Sequence, residues 1–175
     1  MHTDPVREVL SDAAWAASGM YSPAFDWRLQ WRAGPYRNSM EVPDRGIRLI
    51  LEGEGQEPAW AVPTLNALGE TLALPANWDS YGARRVDLAS AASAGQTLCL
   101  VMRSDTIAPM VVPTVQGGVQ LEWHTHGIDL EIDVSQAGRC YVSCRNHQDE
   151  TEWEGELNFN LDRLRDAISR LSHRP

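Results

Sequence analysis

The sequence predicts an α+β fold of two layers, a four- to five-stranded antiparallel meander with helices packed on one face, preceded by an N-terminal helix/strand extension. Two observations carry this. From Met110 to Asn146 apolar and polar residues alternate through runs separated by Gly-containing turns, the period of two that a half-buried sheet needs. On either side of that stretch, apolar residues recur at helical spacing.

Taken in order, Val9, Leu10, Ala13, Ala14 and Ala17 fall on one face of a helix from Asp4 to Ser18, with Gly19 at its C-terminal cap. Between Tyr21 and Glu57 prolines and glycines punctuate two extended pieces, one alternating Trp27, Leu29 and Trp31, the other Ile47, Leu49 and Leu51. Pro63 suits the first turn of a helix reaching about Ala73, where its missing amide hydrogen costs nothing, and Pro75 ends it. Asn77 to Ala83 is too rich in turn formers for regular structure yet carries Trp78 and Tyr81, so it reads as an ordered loop. Asp87 can cap a helix whose stripe is Leu88, Ala91, Ala92, Gly95, Leu98, Cys99 and Met102.

The meander begins at Met110–Val115 and turns at Gln116–Gly118. Pairing Val119 with Val134 and Leu121 with Ile132 brings Trp123 opposite Leu130 around a tight turn at His126 and Gly127, so every apolar residue meets an apolar one. The same register sets Gln120 opposite Asp133, Glu122 opposite Glu131 and His124 opposite Asp129 on the other face. Continued into Arg139–Arg145, it joins Val134 to Cys140, Ile132 to Val142 and Leu130 to Cys144. A fifth strand at Glu152–Asn158 places Trp153 and Leu157 inward, and Asn160 can cap a last helix bearing Leu161, Leu164, Ile168 and Leu171. The helices cover the apolar sheet face, and the other face is either left polar or covered by the N-terminal third. Residues 1–60 are thus read as an extension packed on a meander domain of residues 61–175.

A chain of 175 residues with 43% apolar content and seven Trp can bury a core and lacks the composition of a disordered segment. No run of about 18 apolar residues offers a membrane span, and Asp4, Arg7 and Glu8 interrupt the opening where a signal peptide needs an apolar stretch, so a cytoplasmic protein is expected. Cys99, Cys140 and Cys144 fall inside apolar patterns, as reduced buried thiols do. All 15 basic residues are Arg; a GC-rich coding bias accounts for this, as would selection against lysine modification. A net charge of -9 argues against nucleic acid, whose binding draws on cationic side chains, and favours a basic protein partner.

Zinc held by His124, His126, His147, Cys140 and Cys144 is disfavoured, because Cys140 and Cys144 share parity with the core residue Val142 while His124 shares parity with Glu122 on the opposite face. The wet face alone offers Glu122, His124, Asp129 and Glu131, flanked by Asp133 and Arg145, close enough across strands for acid/base or metal chemistry. On a merely solvated face Asp129 would be balanced by His124 and Arg145, but Glu122 opposite Glu131 leaves like charges facing, which a basic partner group would relieve. There is no nucleophile elbow, no phosphate-binding Gly loop and no His-Glu-x-x-His. The run Asp149, Glu150, Glu152, Glu154 and Glu156 suits a solvated edge, or a receiver for an Arg-rich partner. Trp78, Asp79 and Tyr81 suit either a plug that anchors its loop or a binding hot spot.

The segment Leu74–Ala83, followed by Val111–Trp123 and Asp129–Ile132, resembles a group of small bacterial proteins in which Trp-Asp-Gly-Tyr-Gly-Ala precedes a helix and Pro-Thr-x-x-Gly-Gly-x-Gln-Leu-Glu-Trp opens a meander. Order and spacing match over roughly Leu74–Ser143, with Ser80 where that group has Gly, and the first 60 or so residues lie outside the match. The resemblance implies an α+β fold and an intracellular bacterial setting, transfers no catalytic residue, and marks Trp78, Asp79, Tyr81, Gln120, Glu122 and Trp123 as a recurring set.

These readings combine into one expectation: a non-enzymatic protein-binding module, a neutralising or accessory subunit of a bacterial defence or toxin-linked system. It would bind a basic partner, without metal or cofactor, through its Trp-rich N-terminal third and through Trp78, Asp79, Tyr81, Gln120, Glu122, His124, Asp129, Glu131, Asp133 and Arg145. The alternatives are a metal-dependent hydrolase built on Glu122, His124, Asp129 and Glu131, and a homodimer with no other partner.

Overall fold

The computed structural model describes residues 25–31, 36–53 and 56–172. In chain order these form β1 (Phe25–Trp31), β2 (Tyr36–Val42), a 3-10 turn at Pro43–Arg45, β3 (Ile47–Gly53), α1 (Ala61–Ala73), α2 (Leu88–Val101), β4 (Met110–Pro113), β5 (Val119–Thr125), β6 (Ile128–Val134), β7 (Cys140–Asn146), β8 (Thr151–Glu156) and α3 (Leu157–Ser172). The predicted helix at Asp4–Ser18 lies outside the described residues, as do the side chains of Trp27, Leu29 and Trp31.

The alternation from Met110 onward becomes an antiparallel sheet in the order β4-β5-β6-β7-β8. Its register is the one the apolar pairing demands, with Val119 on Val134, Leu121 on Ile132, Trp123 on Leu130 and Ile132 on Val142. Those side chains are all buried, along with Ile128 and Cys144. At roughly 1.5–3 kcal/mol for each large apolar side chain removed from water, a one-residue slip that exposed them all would be prohibitive. The Trp123 indole N–H donates to the Ile107 carbonyl at 2.8 Å, so the ring is buried with its polar atom satisfied. The β5–β6 connection is a two-residue turn in which His126 (φ 53°) and Gly127 (φ 72°) both have positive φ, the backbone that matches strand twist in a type I′ hairpin.

Helix α2 is capped as predicted, the Asp87 carboxylate accepting from the Ala89 amide at 2.9 Å. It is buried on more sides than an amphipathic stripe allows, Ser90, Ala91, Ala92, Ser93, Ala94, Gly95, Thr97 and Leu98 all being inside. The reason is a second sheet. β1, β3 and β2 form a three-stranded sheet, β1 parallel and β2 antiparallel to the central β3, and α1 and α2 contact strands of both sheets. Small side chains let α2 fit between them, while α3 packs on β6, β7 and β8. The N-terminal sheet therefore lies against helices and does not cover the outer face of the meander. Val42, Ile47, Leu49 and Leu51 join Leu65, Leu121 and Ile168 in one core cluster.

Strand β2 has no counterpart in the sequence reading because Tyr36-Arg-Asn-Ser-Met-Glu-Val is largely polar. It pairs along β3 and turns Tyr36, Asn38, Met40 and Val42 inward, the Met40 side chain sitting against Gly69 of α1 where a Cβ would collide. At the other end, the fifth strand stops at Glu156 and α3 starts at Leu157, so Leu157 belongs to the helix. Asn160 does not cap α3; its side-chain amide donates to the Glu156 carbonyl at 2.9 Å from within the first turn. Leu157 is four residues before Leu161 and continues the same stripe into Leu164, Ile168 and Leu171.

Cys99, Cys140 and Cys144 are free thiols, and burial pushes Cys99 up to about 12. Among the described residues no helix is long and apolar enough to cross a membrane.

Candidate functional site

Parity puts the polar members of every meander strand on the outer sheet face, in three rows. Val112, Gln120, Asp133, Tyr141 and Glu156 form one row; Met110, Glu122, Glu131, Ser143 and Glu154 the next; His124, Asp129, Arg145 and Glu152 the third. The face thus carries Glu122, Asp129, Glu131, Asp133, Glu152, Glu154 and Glu156 against Arg145 as its guanidinium. Glu152, Glu154 and Glu156 of the acidic run belong to this same surface, whereas Asp149 and Glu150 precede β8 and Asp149 pairs with Arg170 of α3 at 3.2 Å.

The third row holds a chain of charged contacts. His124 Nδ1 lies 2.9 Å from Asp129 Oδ1, His124 Nε2 lies 3.3 Å from Glu122 Oε2, and His147 Nε2 lies 2.6 Å from Asp129 Oδ2. An imidazole with a carboxylate at each nitrogen can donate to both only as the imidazolium. The Asp129 and Glu122 side chains accordingly raise the pKa of His124, and His147 and then His124 lower that of Asp129. Asp129 is therefore balanced by two histidines, and Arg145, opposite it in the register, is not the partner that its carboxylate contacts. His147 was missed as a member of this face because it follows the last residue of β7. The signal was nevertheless present, since it keeps the parity of Ser143 and Arg145.

Glu122 and Glu131 face one another as predicted, but each carboxylate also has a partner within the chain. Glu131 accepts from the Gln120 side-chain amide at 3.0 Å, and Glu122 takes the His124 contact. The expectation of an unrelieved pair is corrected accordingly: a diagonal neighbour, Gln120, and a same-strand neighbour, His124, supply what the directly opposed residue cannot. Burial, then the nearby Glu122 charge, raises Asp133, and desolvation, then Glu154 at the β8 edge, raises Tyr141.

Trp78, Asp79 and Tyr81 stand apart from these rows. Their loop is tied to the turn at the opposite end of the sheet from His124, through Arg84 N to Val115 O (3.0 Å) and Asp87 N to Gly117 O (2.9 Å). The Asp79 carboxylate accepts from the Tyr81 and Ala83 amides at 2.8 and 3.0 Å, and the Asn77 side chain accepts from Gly82 at 2.7 Å. Those amides, Ala83 first, hold Asp79 below the usual carboxylate range. The Trp78 indole donates to the Arg84 carbonyl at 3.3 Å, while Tyr81 is 94% exposed. The ten residues expected to act together therefore divide: Gln120, Glu122, His124, Asp129, Glu131, Asp133 and Arg145 share the face, and Trp78, Asp79 and Tyr81 form a separate rigid loop.

Among the described residues, no group of three or more His, Cys, Asp or Glu side chains is placed to hold a metal ion. A cleft of about 140 Å³ between β7, β8 and α3, lined in part by Cys144, Trp153, Arg163 and Arg170, is well below the roughly 300–1,000 Å³ of small-molecule sites. Arg163 covers the Trp153 ring there at 5.6 Å from its centroid.

No protein-family model, curated protein or solved structure matches this chain.

Proposed function

We propose that this chain is a non-enzymatic protein-binding module that takes a basic partner on the outer face of its meander. The observation that carries the proposal is the gathering of the β5, β6 and β8 carboxylates on one sheet face, with Arg145 as the lone guanidinium in its rows. Such a surface steers a cationic partner and offers paired acceptors for guanidinium groups. The contacts from Gln120 and His124 keep these acceptors in place before a partner arrives, which lowers the ordering cost of association. A neutralising or accessory subunit would use such a face to cover a basic surface on the protein it restrains. No observation favours the metal-dependent hydrolase.

The test is recovery of partners from the native host with the tagged protein at low and high salt, read by mass spectrometry. A stoichiometric basic protein retained at low salt and released at high salt supports the proposal. Recovery of the chain alone, or of an acidic partner indifferent to salt, overturns it.

A further inference from the structure

Resting on that reading, we infer that the hold of this face on a basic partner is proton-controlled: His124 and His147, when protonated, neutralise Glu122 and Asp129 and compete with the partner for them, and when neutral they give them up. The geometry is a continuous relay. Glu122 Oε2, the two ring nitrogens of His124, the two carboxylate oxygens of Asp129 and His147 Nε2 follow one another with contacts of 3.3, 2.9 and 2.6 Å. Backbone holds the far end in place: the His147 amide donates to the Gly127 carbonyl at 2.8 Å, and the Gln148 side chain donates to the His126 carbonyl at 3.2 Å, so the turn after β7 is tied to the β5–β6 turn. The His124 and His147 side chains are 45% and 50% exposed, open both to solvent protons and to an arriving guanidinium.

Protonated, His124 donates to Glu122 and Asp129 at once; neutral, it turns a lone pair toward one of them, and that carboxylate is open to another donor. His147 keeps its single contact in either state but loses its charge. Two imidazolium charges cancel the two carboxylates they touch, and their loss returns both to the acidic field as acceptors for guanidinium groups. The other charges bordering the relay are Glu131 diagonal to His124 on β6, Arg145 opposite Asp129 on β7 and Glu152 opposite Arg145 on β8, while β4 brings none. His126 of the β5–β6 turn, its Nδ1 buried without a hydrogen-bond partner, is not part of the relay. Imidazole is the side chain that ordinarily changes charge between pH 5 and 8, so the histidines are the groups that switch this surface there. The hydrogen bonds to Asp129 and Glu122 raise the pKa of His124 and so extend its charged range upward.

The experiment is isothermal titration calorimetry of deca-arginine into the full chain at low salt, at pH 6.0 and 8.0, and at pH 6.5 in two buffers of low and high ionisation enthalpy. Binding should be about three- to tenfold tighter at pH 8.0, and at pH 6.5 the two buffers should give different heats, because the arriving guanidinium groups expel about one proton from the relay. His124→Gln with His147→Gln, both at exposed positions and checked for fold by circular dichroism, should bind equally at both pH values and give one heat in both buffers. Equal or weaker binding by the wild type at pH 8.0, or an unchanged pH dependence in the folded double variant, overturns proton control and leaves the basic-partner reading standing. Loss of binding by the folded double variant at both pH values makes the imidazoles part of the contact and overturns proton control as well. Failure of deca-arginine to bind the wild type at either pH overturns both.

Discussion

Glu122 and Glu131 face each other across β5 and β6, and each turns part of its charge to a neighbour in an adjacent row: Glu122 to His124 of its own strand at 3.3 Å, Glu131 to Gln120 of the opposite strand at 3.0 Å. The pair is tolerated because each charge has a local partner. Gln120→Ala removes the one supporting Glu131 and should cost about 0.5–1 kcal/mol, lowering Tm by about 1–4 °C. Adding Glu131→Gln, which removes the repulsion as well, should restore most of the loss. A double-mutant cycle by thermal unfolding reads this directly, and strictly additive effects would exclude the coupling.

The His124–Asp129 contact sets a pH window. His124 is raised above its ordinary 6.5, so its contribution is fully present below that value and is lost as pH rises through the higher folded-state pKa. Asp129 is lowered from 3.8, so its contribution is present above that value and is lost as pH falls through the lower folded-state pKa. Stability from this contact is therefore greatest between the two ordinary values. Because both side chains are more than 40% exposed, the effect is small, about 1–2 °C in Tm, and screened by salt. His124→Gln should flatten the alkaline limb of the Tm–pH curve; an unchanged limb would show that the imidazolium bridge contributes nothing.

Ser80 has φ 65°, in the left-handed region where a side chain is disfavoured. Ser80→Gly should stabilise the chain by about 0.5 kcal/mol, the relief of that conformation outweighing the extra freedom of glycine in the unfolded chain. Tyr81→Ala, by contrast, should leave Tm unchanged, because its side chain is almost wholly in solvent. Differential scanning calorimetry distinguishes the two, and a large loss for Tyr81→Ala would show that the ring packs in solution.

Gly118 sits where a Cβ would run into the Val134 carbonyl, the backbone that pairs across from Val119. Gly118→Ala should cost about 2–3 kcal/mol because backbone must move. Denaturant unfolding measures it, and a cost below about 0.5 kcal/mol would contradict the packing at this turn.

The meander was legible because its alternation is strict. Once Val119 is placed against Val134, the positions of Trp123, Glu122 and His124 follow from the period of two, and so does the buried side of Cys144. Strand β2 was not legible, since Asn38 interrupts the inner series of Tyr36, Met40 and Val42 and its pairing is set by β3. Nor was the burial of α2, because Ser90, Ser93 and Thr97 look like a polar side until a second sheet is placed over them. Of the candidate site, the face was readable from parity alone, whereas the partners of Asp129 depended on where the turn after β7 returns His147. The separation of Trp78 and Tyr81 from that face depended on the contacts of their loop with Val115 and Gly117, which link distant parts of the chain.

The central claim, that the outer sheet face receives a basic partner, is tested most directly by reversing charge where no hydrogen bond to Gln120 or His124 is disturbed. Asp133→Lys with Glu154→Lys, checked for an unchanged circular dichroism spectrum, should reduce recovery of the co-purifying basic partner at least tenfold and flatten the salt dependence of what remains. Undiminished recovery by the folded double variant would contradict the claim.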